Sequence, residues 1–125
     1  MNIHHIAIAS KDPENLSLFY ENILGLVRIR TNFEASTVRS VWLQAGSSII
    51  MIERCENDSR TTDAFLYKKS GFHLLAFSIS PGERIRLKEN LLNHSIAIEA
   101  ESDFSIYFFD PEGNRLAFSH YPENI

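Results

Sequence analysis

One cysteine, Cys55, is all the thiol this chain of 125 residues holds, so no internal disulfide can close. A reducing compartment, the cytoplasm, is the expectation. Positive charge is also in short supply, with 12 Lys and Arg against 16 Asp and Glu and a net charge of −4. That balance lacks the basic footprint which nucleic acid or an anionic membrane surface requires. No apolar run approaches the roughly 18–20 residues that span a bilayer. The opening MNIHHIAIASKD has neither the basic stretch nor the cleavage site of a secretory leader. What the chain does have is bulk. Nine Phe, four Tyr and one Trp sit in a sequence that is 44% apolar and 22% charged, which excludes disorder for most of its length. At 14.3 kDa there is room for one domain.

The hydrophobic pattern is organised as a repeat. His4–Ala9 alternates with period two and reads as a strand. Asp12 and Pro13 open a helix as N-cap and first-turn proline; Leu16, Phe19, Tyr20 and Ile23 recur at helical spacing, and Gly25 ends it. Strand-like runs follow at Leu26–Arg30, Val38–Leu43 and Ile49–Glu53, the last two joined by a Gly46-Ser47-Ser48 turn. The polar stretch 55–70 reads as a linker. The order then begins again about 68 residues on. Phe72–Ile79 predicts a strand, Ser80-Pro81-Gly82-Glu83 a capping box, and Ile85, Leu91 and Leu92 a helix ending near Asn93-His94. Ile96–Glu99, Ser105–Phe109 and Arg115–Ser119 predict three more strands, the last two joined by the turn Asp110-Pro111-Glu112-Gly113-Asn114. The expected fold class is α+β: two βαβββ modules, 1–54 and 71–125, forming within one domain of residues 1–125 a partly closed, cupped sheet with helices outside.

Side-chain parity separates two faces on each strand. Ile6 and Ile8 oppose His5, Ala7 and Ala9. Leu75, Phe77 and Ile79 oppose Leu74, Ala76 and Ser78, while Leu116 and Phe118 oppose Arg115, Ala117 and Ser119. Bulky residues belong against helices. The small ones predict an inner face that leaves a concave, ligand-sized space.

The module order, together with IHHIAIASKDPENLSLFYENILGL, GFHLLAFSI and IYFFDPEGNRLAFSHY, resembles the vicinal oxygen chelate superfamily over nearly the whole chain. That superfamily includes glyoxalase I, bleomycin and fosfomycin resistance proteins, methylmalonyl-CoA epimerase and extradiol dioxygenases. The resemblance implies a divalent metal held by up to four side chains on the first and last strands of each module. Those positions fall on His5, Met51, Leu74 and Ala117. Only His5 suits a hard or borderline divalent ion, whereas Met51 is a soft thioether and Leu74 and Ala117 offer no donor. Glu53 faces the same way as Met51 but lies about 6.6 Å further along its strand. His73 is offset by one residue and is expected on the opposite face, where it shares parity with His4 and His120; a His73–His120 pair at a sheet edge is weighed against plain rim histidines.

The remaining candidates divide between function and packing. His5 reads as a hydrogen-bonding anchor or general base, or as a remnant ligand satisfied by a neighbour. Trp42 and Tyr107 occupy matching inward positions and read either as an aromatic clamp on a planar ligand or as core; the resemblance places Tyr107 where a fosfomycin-resistance tyrosine meets substrate. Glu53 is an acid or base, or a surface carboxylate. Arg39 and Arg115 could meet an anionic substrate, or simply be solvated, and Cys55 reads as an inert thiol. The leading expectation is a small planar or amphipathic organic ligand held by His5, Trp42, Met51, Leu74, Tyr107 and Ala117 without a metal or other cofactor. The alternatives are a metal-dependent lyase, isomerase or dioxygenase using His5 and Glu53, and a metal-free isomerase with His5 as base. Resemblance and unpaired strand edges together point to a homodimer.

Overall fold

The computed structural model describes residues 1–56 and 70–125, and the chain divides into two compact units, Met1–Arg60 and Thr61–Ile125. The division falls in the stretch read as a linker, of which residues 57–69 lie outside the described residues. Among the described residues each unit is a four-stranded mixed sheet with one α-helix, as the α+β reading expects, and neither sheet closes on itself.

In the first unit the order of elements is β1 (His5–Ser10), α1 (Pro13–Asn22), β2 (Val27–Glu34), β3 (Thr37–Ala45) and β4 (Ser48–Arg54). The sheet runs β1-β4-β3-β2, with β1 parallel to β4 and the other pairs antiparallel. Helix α1 starts where its sequence says it must. Asp12 Oδ1 accepts from the Asn15 amide at 3.2 Å, and Pro13 occupies the first turn, where its missing N–H is no loss. Gly25 takes φ +75°, a left-handed conformation that lets the chain leave the helix and enter β2. Leu16, Phe19 and Tyr20 of α1 are buried, as are Val41, Leu43, Ile50 and Ile52 on one face of the sheet.

β2 departs from the expected run in length and in regularity. Arg28 pairs with Leu43 and Arg30 with Trp42, so Ile29 is an extra residue in a β-bulge. In an unbroken strand Arg28 and Arg30 would share a face. The bulge sends them to opposite ones. Arg28 turns to α1 and makes paired hydrogen bonds at 2.9–3.0 Å to both Glu14 and Glu21. Those bonds, Glu14 first, hold its guanidinium above its ordinary range.

The second unit comprises β5 (Leu75–Ser78), a 3-10 turn (Pro81–Glu83), α2 (Arg84–Asn93), β6 (Ala100–Glu101), β7 (Ser105–Phe109) and β8 (Arg115–Ser119). Its sheet runs β5-β8-β7-β6, again with the first pair parallel. Glu83 Oε2 accepts from the Ser80 amide at 2.8 Å, the reach-back expected of the capping box. At its other end α2 closes with Ser95 at φ +60°: the Ser95 amide donates to Leu92 O and the Ile96 amide to Leu91 O. That closure spends Ile96 on the helix end. The strand expected at Ile96–Glu99 therefore starts later, at Ala100, although the Glu99 amide already reaches Tyr107 O at 2.8 Å. The strand expected over Phe72–Ile79 is likewise shorter, its ladder beginning at Leu75 opposite Leu116.

Helix α2 corrects a second expectation. Ile85 and Leu92 lie seven residues apart and share a face, yet they are 69% and 52% exposed. The buried face belongs to Arg84 and Leu91, also seven apart. An arginine takes an inward place because a set of carbonyl acceptors awaits it there. Asp103 O, Ser102 O and Ser105 O lie 3.2, 2.8 and 3.4 Å from its terminal nitrogens.

Candidate functional site

Register places the candidate residues in rows across the open face of each sheet. In the first unit one row is Ala7, Met51, Trp42 and Arg30, contributed by β1, β4, β3 and β2. The row on one side holds His5, Ile49 and Gln44; the row on the other holds Ala9, Glu53, Ser40 and Asn32. His5, Trp42, Met51 and Glu53 therefore do share a face. Trp42 is half-buried, and the Arg30 guanidinium carbon stands 5.1 Å from its ring centroid, a cation–π arrangement. Its indole Nε1–H is buried and has no hydrogen-bond partner among the described residues.

His5 is exposed, and its Nδ1 lies 2.9 Å from Nδ1 of His4. One ring must donate and the other accept, so the contact uses a single proton and leaves His5 Nε2 for another partner. Glu53 is in step with Ala9, four residues along from the His5 row, which is about 13 Å at strand rise. Two ligands of one divalent ion each sit only about 2 Å from it, so His5 and Glu53 are not a pair of ligands. No group of three His, Cys, Asp or Glu able to hold a metal occurs among the described residues. The four positions that the superfamily's metalloenzymes use thus carry one imidazole, a thioether and two hydrocarbons. Such a set does not fit a divalent metal.

In the second unit the corresponding row is Ala76, Ala117, Tyr107 and Ala100. Here too an arginine covers the aromatic ring, Arg115 at 4.6 Å from the Tyr107 centroid. Unlike Arg30 it is neutralised: Nε donates to Glu99 Oε2 at 2.9 Å, and Nη1 meets His73 Nε2 at 3.0 Å. His73 was expected on the helix side. It precedes the first ladder residue, so strand parity does not govern it, and it reaches the open face instead. Leu74 also lies ahead of the ladder, immediately before β5.

His120 is not paired with His73 through its ring nitrogens. Nε2 takes Arg84 Nη1 at 3.0 Å, and Nδ1 donates to Glu123 O at 2.6 Å. The same guanidinium reaches Glu101 Oε1 at 3.3 Å. Hydrogen bonds from Lys88 first, then Arg84, hold the Glu101 carboxyl below its ordinary range. Asp110 accepts from the Glu112 and Asn114 amides, which makes the DPEGN segment a structural turn as read, with Gly113 at φ +82°.

Arg39, Glu53 and Cys55 meet elsewhere, in an open groove of about 550 Å³ that Glu34, Thr37, Val38, Arg54 and Glu56 also line. Arg54 is occupied there, donating to Val38 O and Lys11 O at 3.0 and 3.1 Å. Sequence reading missed Arg30, Asn32 and Arg84. For Arg30 the alternation of Arg28-Ile29-Arg30 was visible, but a bulge has no local signature here, since Ile29 is an ordinary strand residue.

Comparison with curated protein sequences finds no match. Among solved structures, a glyoxalase/dioxygenase from Nostoc punctiforme aligns with a TM-score of 0.76 at 22% identity, over 98% of this chain and 92% of its own. The genomically encoded fosfomycin resistance protein FosX from Listeria monocytogenes aligns with a TM-score of 0.75 at 17% identity, over 95% and 90%. An E126Q form of that FosX, complexed with Mn(II) and 1S,2S-dihydroxypropylphosphonic acid, gives 0.73 at 18%, over 94% and 88%. Likenesses at this identity speak to the fold, which they share. The family itself follows from the sequence match over residues 2–118: the chain belongs to the Glyoxalase/Bleomycin resistance protein/Dioxygenase superfamily.

Proposed function

We propose that this protein binds a small planar or amphipathic organic molecule on its open sheet face, in the cytoplasm, without a divalent metal. The observation that carries the reading is the composition of the central row of the first unit, where Ala7, Met51 and Trp42 make an apolar floor, with the thioether of Met51 at one of the positions to which the resemblance assigns a metal ligand. An apolar floor with few polar groups is what a ligand site needs for affinity; His5, one row away, supplies a polar anchor. In the second unit, taken by itself, the reading assigns ligand contacts to Tyr107, Leu74 and Ala117, of which Ala117 is 1% exposed. Binding rather than turnover is the expected activity. Equilibrium dialysis against a library of small aromatic and amphipathic compounds should give saturable, stoichiometric binding that EDTA does not alter and that leaves the ligand chemically unchanged. Conversion of a bound compound, abolished by chelator, would replace this reading with the metal-dependent one; conversion insensitive to chelator but lost in His5→Ala would favour the general-base isomerase.

The protein acts as a homodimer in this reading, because among the described residues each sheet has two edge strands, β1 and β2 in one and β5 and β6 in the other. Sedimentation equilibrium should report twice the chain mass. A species of 14.3 kDa at micromolar concentration and above overturns the dimer.

A further inference from the structure

We infer that Arg30 makes this site selective for a monoanion, and that the ligand is a small organic carboxylate whose charged end pairs with the guanidinium while its apolar body lies over Met51 and Ala7. The inference rests on the small-molecule reading above and adds the ligand's chemical class.

Arg30 stands on the open face because of the Ile29 bulge, and bulges recur where a strand must re-aim a side chain. It is also held in place. Its Nε donates to Asn32 Oδ1 at 2.7 Å, and Asn32 Nδ2 donates in turn to Ser40 Oγ at 2.9 Å, with Ser40 only 2% exposed. A two-link chain anchored on a buried hydroxyl, with the Trp42 ring beneath, fixes an exposed arginine that would otherwise sweep solvent.

What Arg30 lacks is a carboxylate. Arg28, Arg84, Arg86 and Arg115 each have one, whereas Arg30 forms no ion pair among the described residues. Glu53, on the same face, belongs to the neighbouring row and does not reach it. Among the described residues only Nε is spent on a hydrogen bond, which leaves the two terminal nitrogens for the forked pairing that guanidinium gives a carboxylate. The Trp42 Nε1–H, of the ring under Arg30, also has no acceptor among the described residues, and an orphaned buried donor calls for explanation. The unspent terminal nitrogens of Arg30 are donors, so the molecule that pairs with them brings acceptors. One cation without a lysine or second arginine in the row suits a single negative charge. From Ala7 to Trp42 the floor spans two strand spacings, about 10 Å, room for one ring and a short chain.

The chain's one tryptophan is Trp42 itself, so its emission, excited at 295 nm, reports on this row alone. The titrants are benzoate, cyclohexanecarboxylate and 4-phenylbutanoate, each beside its primary amide, at fixed ionic strength. At least one acid should bind about tenfold or more tightly than its amide, the scale of a charge-assisted forked pair. Arg30→Gln should erase that preference, so that each acid binds no more tightly than its amide. Arg30→Lys should restore only part of it, because it keeps the charge and loses the fork. Arg86→Gln, on an exposed helix position, should behave as wild type. If every acid and its amide bind wild type equally, the carboxylate inference falls and small-molecule binding stands. If no member binds, both fall.

Discussion

Replacing Arg84 with methionine should destabilise the protein by about 3–5 kcal/mol, the penalty typical of breaking a buried charged network from one side. Methionine keeps the length of the aliphatic stem but not the donors. Asp103 O, Ser102 O and Ser105 O would each lose a donor, and His120 Nε2 would lose the Nη1 contact at 3.0 Å. His120 is 2% exposed, with its other nitrogen committed to Glu123 O, so it cannot turn elsewhere without releasing the C-terminal segment. The network thus fastens the start of α2 to the loop before β7 and to the chain after β8. Chemical denaturation monitored by circular dichroism measures the loss. Arg86→Met, on the exposed side of the same helix and paired only with Glu83 at 3.7 Å, should stay within about 0.5 kcal/mol of wild type. A loss below about 1 kcal/mol for Arg84→Met would mean that water replaces the guanidinium and that the cluster is not a fastener.

Arg84 also marks where sequence reading runs out. The pattern Ile85, Leu91, Leu92 offers two apolar faces to a short helix, and hydrophobicity alone favours the one holding two large residues. Burial chose the face of Arg84 and Leu91 instead, because an arginine surrounded by carbonyls is as good an inward residue as a leucine at that spot. Nothing local reveals the acceptors, which come from residues 102, 103 and 105. The left-handed Ser95 was equally hidden, since serine gives none of the warning that glycine would at the end of α2. By contrast α1 could be placed from Asp12, Pro13 and Gly25 alone, each of which does in the structure what its chemistry dictates. The alternation read on β1 and β8 agrees with the register, which sets Ala7 beside Met51 and Ala117 beside Tyr107. At the candidate site the same logic found Trp42, Met51 and His5 and lost Arg30, for alternation counts residues and a bulge adds one without announcing it.

Alternation also allows folding and binding to be separated on a single strand. In β7, Phe108 is fully buried, its ring 4.8 Å from that of Phe118, while Tyr107 next to it faces the other way beneath Arg115. Phe108→Ala removes a large side chain from a closed position and should lower stability by about 3–5 kcal/mol, the transfer loss plus the cavity left behind. Tyr107→Leu should lower it far less, by about 1 kcal/mol, since a half-exposed ring gives up less buried area and the cation–π contact at an accessible site is weak. In dialysis the order should reverse: Phe108→Ala, studied under conditions where it remains folded, keeps ligand affinity, and Tyr107→Leu weakens it. Equal losses of stability in the two variants would show that Tyr107 is core and that the open face of the second unit contributes no ligand contact. A binding defect confined to Tyr107→Leu assigns a ligand contact to that face, on the side of the strand that the fold does not need for its own cohesion.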